Sequence, residues 1–506
     1  MQPSSRLQVK LADALSATDP TIDATAFCIF KDKPHPSLAS TLDEAERRAV
    51  EDLLRAGEFE GEEDEAALVY ASGAGASGAG ARRFLLIGLG SRADFDAGAL
   101  RRAAGLAVRR ARDSRVRHLQ FMLPDSGVVG DTAQLSRAAT EGAHLGFYEN
   151  DFYQKRDEED APVLARFTIA ASRDASDEMR AAVERARIVA EAANWARSLA
   201  DLPGASLPPR EFARRAAEMA AEFGLSVETL EASEIRARGM GGLWGVGQGS
   251  DEPPALIVVR YEPEGMSDAD ELWAFVGKGI TFDTGGISLK PAERMEEMKS
   301  DMAGGAAALG ALRAIAELKL RRRLVAVVPS AENMPSGRAL KPGDIVRTLA
   351  GYTIEVVDTD AEGRLVLVDG IAYARSLGAA RIVDLATLTG SIIVALGDHR
   401  TGLFTNDDEW AARVTSAATR AGEPVWRMPV SDDYKKRIES PIADFKNYGG
   451  RPDATAAALL LSKFAADTPW VHLDIAATSW HEEAQPHAPA GATGTGVRTL
   501  IELASD

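Results

Sequence analysis

Residues 278–301, KGITFDTGGISLKPAERMEEMKSD, constrain the fold most strongly because charged side chains crowd directly behind an apolar run. That run, residues 272–276, predicts a buried strand, and the glycines and the proline after it predict an irregular loop. The loop carries Lys278, Asp283, Lys290 and Asp301. Charged groups at the end of a buried strand are costly to bury without a compensating cation. This loop is therefore a candidate cation-binding site.

A second acidic segment, residues 358–364 with the sequence DTDAEGR, follows another strand-like run at residues 352–357. Asp360 and Glu362 alternate along the chain, so on an extended backbone their side chains would point the same way. The two segments together offer four carboxylates, two lysines and an arginine: Asp283, Asp301, Asp360, Glu362, Lys278, Lys290 and Arg364. This is the ligand supply of a hydrolytic site that uses two metal ions.

Length and charge narrow the class of protein. A chain of 506 residues exceeds the usual size of one domain, so we expect two. The net charge of -18 argues against broad electrostatic binding of nucleic acid or an anionic membrane, although a local basic patch stays open. Cys28 is the only cysteine, which excludes an intramolecular disulfide and a cysteine metal cluster. The N-terminus lacks a signal-peptide core and no long apolar run follows, so a cytoplasmic enzyme is expected.

Strand-like and helix-like segments alternate along the whole chain, which predicts an α/β fold. We expect a smaller N-terminal α/β domain at residues 1–174 and a larger C-terminal α/β catalytic domain at residues 175–506, with a mainly parallel central sheet. An amphipathic helix at residues 177–200 would join them. The acidic segments would lie past the carboxyl ends of two strands of the larger sheet, the edge at which open α/β sheets bind ligands.

Two glycine-containing segments have competing interpretations. Residues 71–81, ASGAGASGAGA, are expected to form a flexible surface connection, because the glycines lack the spacing of a phosphate-binding loop. Residues 384–391, DLATLTGS, end a predicted strand with small residues and exposed backbone amides. They would form either a substrate-binding edge or an ordinary strand-to-helix turn, and the segment alone favours the turn.

Several motifs in one order resemble the leucyl aminopeptidases, the dinuclear zinc or manganese enzymes of the cytosolic type (peptidase family M17). The matching segments of the second domain are VGKGITFDTGGISLKP, MKSDMAGGAA, DTDAEGRLVL and ATLTG, with NWARSL and GVGQGS before them. The first domain matches more loosely, chiefly through LLIGLG and TEGAHLGFY. Several motifs in register are far more specific than one glycine pattern.

The resemblance implies a role for each polar residue of the two segments. Asp283 and Glu362 would bridge both metals, Lys278 and Asp301 would complete the tighter site, and Asp360 the more exchangeable one. Lys290 would stay charged and polarise the scissile carbonyl, and Arg364 would hold a bicarbonate that accepts the proton of the attacking water. Met298 and Thr387 would line the pocket for the N-terminal side chain, and Leu388 and Gly390 would contact the peptide backbone.

The resemblance also implies an activity and an assembly. The chain would release N-terminal, leucine-like amino acids from peptides by attack of a water that bridges two metals. Peptides are the expected substrates, a homohexamer is the expected assembly, and neither a membrane nor nucleic acid is an expected partner. Oxygen ligands without histidine or thiolate tolerate zinc, manganese, magnesium or cobalt, so the sequence leaves the metal pair open. Lys278 would ligate as the neutral amine, its pKa lowered by two adjacent cations.

Each position also has an ordinary structural interpretation. The lysines would be solvated surface charges, Asp301 a helix N-cap, Arg364 an ion-pair partner of Asp369, and Met298 a core residue. For the seven polar residues the metal site is favoured, because all of them fit one arrangement in the expected order. For Met298 and Thr387 the structural interpretation stays competitive.

One departure and two other functions remain open. Asp358 stands where the family usually has asparagine, which puts substrate preference in doubt more than catalysis. Some members of the family bind DNA, so a scaffold or DNA-binding regulator is the alternative from another class. The acidic balance and the complete ligand set argue against it, and a salt-dependent gel shift would decide. A phosphoesterase is a more remote alternative for a site with two metals.

Overall fold

The computed structural model describes residues 7–12, 21–32, 42–71, 82–124, 131–155, 164–171 and 174–506. The chain divides into two compact units: Met1–Asn194 with Glu482–Ala490, and Trp195–His481 with Gly491–Asp506. Residues 72–81, most of the glycine-rich tract, lie outside the described residues. The boundary expected near residue 174 stays a prediction. No helix in the described part of the chain is long and apolar enough to cross a membrane.

The first unit is built on one sheet with a mainly parallel arrangement. Its strands are β1 (Gln8–Leu11), β2 (Ala24–Ile29), β3 (Ala66–Ala71), β4 (Arg82–Gly88), β5 (His118–Met122) and β6 (Arg166–Ala170). Its helices are α1 (Glu44–Ala56), α2 (Ala97–Asp113), α3 (Thr132–Phe147) and most of α4 (Asp177–Ala200). The order is β1–β6–β5–β2–β4–β3, and only β3 runs antiparallel to its neighbour. Every residue of β2 is buried, as expected of a parallel strand covered on both faces.

The described part of the larger unit contains a mixed nine-stranded sheet, a three-stranded sheet and a two-stranded sheet. Its strands are β7 (Ser226–Leu230), β8 (Ala255–Tyr261), β9 (Leu272–Gly277), β10 (Gly279–Asp283), β11 (Arg323–Asn333), β12 (Ile345–Arg347), β13 (Thr353–Glu355), β14 (Ala379–Ala386), β15 (Thr401–Thr405), β16 (Val425–Arg427), β17 (Phe445–Lys446), β18 (Trp470–Asp474), β19 (Trp480–His481) and β20 (Gly491–Ala492). The large sheet has the order β16–β15–β18–β14–β9–β11–β8–β7, and β10 also pairs with β11. Its central strands β18, β14, β9 and β11 are parallel. The predicted α/β class with a mainly parallel central sheet is confirmed.

Helices pack on this sheet closely enough to require small residues. They are the C-terminal end of α4, then α5 (Pro209–Glu222), α6 (Ala232–Ala237), α7 (Gly241–Gly247), α8 (Ala303–Glu317), α9 (Gly363–Ser376), α10 (Gly390–Leu396), α11 (Asp408–Ala421), α12 (Asp453–Ala465) and α13 (Val497–Ala504). At Gly304 in α8, an added Cβ would lie 2.1 Å from the carbonyl oxygen of Leu385 in β14. The glycine- and alanine-rich start of α8 therefore lets the helix approach the strands that carry the site.

One strand expectation is wrong. Residues 352–357 contain only the three-residue strand β13, which pairs with β12 and β17 in a separate small sheet. The second acidic segment therefore does not follow a strand of the central sheet. The short β13 is not buried on both faces, because Thr353 and Glu355 are half-buried on either side of the buried Ile354.

Candidate metal centre

The segment after β9 is not the irregular loop that was expected throughout, because it begins with β10, which pairs with β11. The backbone around Lys278 is fixed on both sides. The amide of Lys278 donates to the Leu385 carbonyl in β14, at 3.0 Å, and the Lys278 carbonyl accepts from the amide of Gly305, at 2.8 Å. Gly285 has a φ of +84°, a left-handed conformation that favours glycine. An added Cβ there would lie 2.4 Å from the Ser288 carbonyl oxygen. The tight turn therefore depends on this glycine.

Three carboxylates from distant parts of the chain meet in a buried cluster. Asp283 ends β10, Asp301 precedes α8, and Glu362 precedes α9. One oxygen from each of these side chains lies within 4.8 Å of the others, and all three residues are buried. We call Asp283, Asp301 and Glu362 together with Asp360 the acidic centre.

Lys278 lies on one side of the acidic centre. Its Nζ is 2.8 Å from Asp301 and 2.7 Å from Glu362, and it donates to the Thr387 carbonyl at 3.1 Å. Burial alone would lower the pKa of Lys278, but the carboxylates of Asp301 and Glu362 outweigh burial and raise it. In the protein without metal, Lys278 is therefore a charged counter-ion.

Lys290 lies between the other two carboxylates. Its Nζ is 2.9 Å from Asp283 Oδ2 and 2.5 Å from Asp360 Oδ1. Burial would lower the pKa of Lys290, and the nearby carboxylates, Asp283 foremost, raise it instead. Each lysine thus holds a different pair of carboxylates, which distinguishes two ends of one site.

The carboxylates of the acidic centre outnumber the two lysines that contact them. Burial raises the pKa of Asp301 well above its ordinary value, opposed by Lys278 and reinforced by Glu362 and Asp283. Burial and the charge of Asp283 raise the pKa of Asp360 to about 6, with Lys290 opposing. Four carboxylates face two lysines, so the centre resists ionisation until more positive charge arrives. Its oxygen donors fit divalent cations.

Two buried asparagines that the sequence analysis did not single out fix the acidic turn. Asn447 accepts from the amides of Val357 and Asp358 and donates to the carbonyls of Asp358 and Ala361, at 2.5–3.3 Å. Asn333 donates to Asp283 Oδ1 at 2.8 Å and to the Thr359 carbonyl at 3.0 Å. No spacing in the sequence relates Asn447 to a turn some ninety positions earlier, so the fold alone identifies it.

The backbone of the acidic turn is not extended, so the alternation argument for Asp360 and Glu362 is wrong. Glu362 has helical dihedral angles of -81° and -34°. Asp358 Oδ1 accepts from the amide of Asp360 at 2.9 Å, which closes a local turn. The side chains of Asp360 and Glu362 meet the same centre through this turn. The contact also gives Asp358 a structural role that an asparagine oxygen would serve equally.

Arg364 and Asp369 have separate partners, which excludes the ion pair considered between them. Arg364 is 3% exposed, and its Nη1 and Nη2 donate to the two carboxylate oxygens of Asp453, at 2.9 and 3.1 Å. Asp369 accepts from the amides of Leu243 and Leu349. Asp301 is not the N-cap of α8 either, since that position is Met302 and the Asp301 carboxylate bonds Lys278 and Thr387.

The segment before α10 adjoins the acidic centre. Thr387 Oγ1 donates to Asp301 Oδ1 at 2.6 Å, and the Leu388 amide donates to Asp474 at 3.2 Å. Gly390 is exposed at the start of α10. Met298 is half-buried in a short 3-10 turn and is not a core residue. Residues 384–391 are therefore more than an ordinary turn, because the Thr387 hydroxyl donates to the acidic centre and the Thr387 carbonyl accepts from Lys278.

Family models and known relatives match this sequence over nearly its whole length. The model of the catalytic domain of the cytosol aminopeptidase family matches residues 194–501, and the model of its N-terminal domain matches residues 26–157. A probable cytosol aminopeptidase of Solibacter usitatus is 48% identical over 461 residues, 91% of this chain and 93% of that protein. One from Acidobacterium capsulatum is 43% identical over 501 residues, 99% and 97% of the two chains.

Solved structures of other proteins also superimpose on this chain. The bottromycin maturation enzyme BotP in complex with Mn superimposes with a TM-score of 0.83 at 36% identity, covering 96% of this chain and 99% of that one. A mutant of tomato leucine aminopeptidase gives a TM-score of 0.86 at 29% identity, covering 99% and 97%. Both units of the chain thus have counterparts in proteins of known structure.

Proposed function

The chain belongs to the cytosol aminopeptidase family, and from this membership we propose that it uses two metal ions to release leucine-like residues from the N-termini of peptides. The observation that carries the proposal is the buried meeting of Asp283, Asp301 and Glu362, each with an oxygen within 4.8 Å of the others. Carboxylates rarely share a buried space without a cation. The activity class, aminopeptidase, follows from the family, and the mechanism is the proposal.

The proposed metal ligands form two groups, one at the Lys278 end of the site and one at the Lys290 end. Asp283 and Glu362 would bridge the ions, Lys278 and Asp301 would complete one site, and Asp360 the other. Lys278 already contacts Asp301 and Glu362, and Lys290 already contacts Asp283 and Asp360, which supports this division. Zinc or manganese is the proposed metal, and BotP was solved with Mn. When bound, such ions lower the pKa of a shared water and polarise a carbonyl oxygen.

The side chains around the ions have different tasks. Lys278 must lose a proton to ligate, because only the neutral amine has a free lone pair. Its hydrogen bond to the Thr387 carbonyl would keep the remaining N–H bonds turned away from the ion. Lys290 stays charged beside Asp283 and Asp360, and we propose that it stabilises the negative charge that develops on the substrate oxygen. The α-amine of the substrate would take a ligand position, which accounts for action at N-termini.

Substrate contacts are proposed for the segment beside the centre. Thr387 and Met298 would line the pocket for the N-terminal side chain, and Leu388 and Gly390 would contact the peptide backbone. The half-buried Met298 and the exposed Gly390 are consistent with a surface that a peptide reaches. The leucine-like preference rests on the resemblance, so a panel of aminoacyl amides must test it.

Assembly, location and domain limits complete the proposal. We propose a homohexamer in the cytoplasm, with an N-terminal domain at residues 1–174 on its periphery and a catalytic domain at residues 175–506 within. The names of the related cytosol aminopeptidases support the location. Mass measurement in solution tests the assembly, and an active monomer would contradict it.

One experiment tests the metal-dependent activity. The purified protein is assayed on leucine amide, after exhaustive chelation, and after re-addition of manganese, zinc or cobalt. We expect hydrolysis to vanish on chelation and to return with each metal to a different level. N-acetyl-leucine amide is the matched control, because its blocked amine cannot bind metal. Activity that survives verified metal removal, or equal hydrolysis of the blocked amide, would refute the proposal.

A further inference from the structure

Asp358 is held in place by contacts that use only one oxygen of its carboxylate. Oδ1 accepts from the amide of Asp360 at 2.9 Å. The Asp358 backbone is fixed as well, because its amide donates to Asn447 Oδ1 at 3.3 Å and its carbonyl accepts from Asn447 Nδ2 at 2.5 Å. Asparagine, the usual residue of the family at this position, would accept from the Asp360 amide through its side-chain oxygen in the same way. The turn therefore does not require the negative charge of Asp358.

The second carboxylate oxygen of Asp358 has no partner among the residues that the structure describes. Oδ2 accepts no hydrogen bond from them, and Asp358 forms no ion pair with any lysine, arginine or histidine of those residues. Asp358 is half-buried, and Oδ2 itself is not enclosed. Each carboxylate of the acidic centre, in contrast, contacts Lys278 or Lys290. Asp358 thus presents a negative charge that no lysine compensates, directly beside the centre.

Asp358 lies at the more open end of the acidic centre. The Asp360 side chain is 36% exposed, whereas the other three carboxylates of the centre are 2–7% exposed. The lysines differ in the same direction, because Lys290 beside Asp360 is 21% exposed and Lys278 is 3% exposed. Since Asp358 bonds the Asp360 amide, its charge adjoins the end of the centre that solvent reaches most easily.

The proposed substrate contacts give the bound peptide a direction. Thr387, proposed for the pocket of the N-terminal side chain, contacts Asp301. Lys290, proposed to stabilise the oxygen of the scissile carbonyl, contacts Asp360 at the opposite end of the centre. A peptide bound in this order would place the residue after the scissile bond at the Asp360 end, beside Asp358.

We propose that Asp358 makes this enzyme favour peptides that carry lysine or arginine directly after the scissile bond. The inference rests on the proposed aminopeptidase function and deepens it by naming a substrate class. A cationic side chain at that position would be attracted to Oδ2, and an acidic one would be repelled. Val357, directly before Asp358 in the chain, is an apolar residue with 41% exposure, which suits the aliphatic stem of a lysine or arginine.

The test compares hydrolysis of leucyl-lysine amide, leucyl-glutamine amide and leucyl-glutamate amide by the metal-loaded enzyme. The amidated ends leave the second side chain as the only difference in charge. For the natural protein, kcat/KM should fall in the order lysine, glutamine, glutamate. In Asp358→Asn the ratio of kcat/KM for lysine to that for glutamate should fall by roughly fivefold, because one exposed attraction and one repulsion, each worth roughly twofold, are lost. A merely structural role would change all three values in proportion and leave the ratio unchanged.

Asp407→Asn is the matched control. Asp407 is also half-buried and accepts from a backbone amide, that of Trp410 at 2.7 Å, but it does not contact the acidic centre. This variant should keep the ratio of the natural enzyme. A salt titration needs no variant: the preference of the natural enzyme for lysine over glutamate should shrink as the ionic strength rises. It keeps the test valid if Asp358→Asn does not fold, which thermal unfolding and metal content report.

Binding of uncleavable analogues separates this inference from the proposed function. Ketomethylene analogues of leucyl-lysine amide and leucyl-glutamate amide are titrated calorimetrically into the zinc-loaded proteins. The lysine analogue should bind the natural protein more tightly, and Asp358→Asn should reduce the difference. The inference is overturned if the natural enzyme shows no preference for lysine at low salt, or if Asp358→Asn keeps the full ratio. Failure to hydrolyse any of the three peptides would refute the proposed function, and the calorimetry would then decide the role of Asp358, with equal affinities or no binding counting against it.

Discussion

At the scale of single residues, the proposed metal site assigns opposite protonation states to Lys278 and Lys290. Both are charged counter-ions in the protein without metal, because the carboxylates around them raise both pKa values. Lys278 is 3% exposed and contacts the two carboxylates proposed for the tighter metal site, whereas Lys290 is 21% exposed and contacts the pair at the other end. Under the proposed assignment, metal binding would displace the proton of Lys278 and leave that of Lys290.

Replacing each lysine with alanine should separate these roles. Lys290→Ala should lower turnover by roughly a hundredfold or more, as loss of an oxyanion-stabilising donor does, and should keep two metals per chain. Lys278→Ala should lose a metal, because a ligand is gone. Metal stoichiometry after dialysis against limiting metal is the deciding measurement, since both variants should lose most of their activity. Lys341→Ala, an exposed lysine, controls for the loss of a surface charge. Metal loss in Lys290→Ala alone would reverse the assignment.

His144 offers a test of electrostatics away from the metal centre. It lies in α3, its Nε2 has no hydrogen-bond partner in the described part of the chain, and burial lowers its pKa to about 4. The charges of Glu191 and Glu184 oppose this lowering of the pKa, and that of Arg187 adds to it. Because the unfolded chain binds a proton at His144 near its ordinary pKa and the folded chain does not, stability present above pH 6.5 is lost as the pH falls toward 4.

The first unit should therefore lose about 2 kcal/mol from this group between pH 7 and pH 5. His144→Gln should remove that part of the pH dependence, whatever it does to stability at pH 7. The measurement is native-state hydrogen exchange of the α3 amides at the two pH values, corrected for intrinsic exchange rates. His399→Gln, at an 88% exposed side chain, should leave the slope unchanged. An equal slope in the natural protein and His144→Gln would contradict the prediction.

At the scale of secondary structure, the sequence predicts the central strands well and the acidic turn poorly. Strand β9 and residues 324–328 of β11 are continuous apolar runs because both faces of the sheet are covered there, and such runs are visible in a single sequence. The acidic turn has no comparable pattern. Its shape depends on Asn333 and Asn447, which reach it from other parts of the chain. The residues of the acidic centre could be predicted from the sequence, whereas the asparagine contacts that hold the turn in place could not.

Removing one of these asparagine side chains should weaken metal binding without removing a proposed ligand. Asn447→Ala deletes the hydrogen bonds to both ends of the acidic turn, so Asp360 and Glu362 lose their fixed positions. We expect roughly a ten- to hundredfold loss of metal affinity, the usual effect of losing a partner that orients ligands. Competition with a fluorescent chelator measures it.

Asn406→Ala is the matched control for this variant. Asn406 also donates to two carbonyls, of Ala466 and Thr468, and accepts from the Trp470 amide, but it does not contact the acidic centre. It should lower the unfolding temperature and leave metal affinity intact. If Asn447→Ala binds metal as tightly as the natural protein, the turn is held by other contacts and its asparagine is not a positioning residue.

At the scale of the whole molecule, the acidic centre lies within one compact unit. Asp283, Asp301, Asp360 and Glu362 all lie in the unit Trp195–His481 with Gly491–Asp506, on segments that join β10, α8 and α9. Because four carboxylates face two lysines there, we expect bound cations to stabilise this unit. The first unit, with its own sheet and core, has no comparable group in its described residues.

Metal removal should therefore destabilise the second unit and leave the first largely unaffected. Binding to the folded state alone adds about 2.7 kcal/mol at a free metal concentration one hundred times Kd, and chelation removes that contribution. Hydrogen exchange read out by peptide should show faster exchange in β10, β11 and α9 after chelation, with no change in β2, β4 and β5. The chelator saturated with zinc before addition is the control for effects of the chelator itself. Equal loss of protection in both units would mean that the ions stabilise the molecule as a whole, and unchanged protection in both would mean that the acidic centre is stable without them.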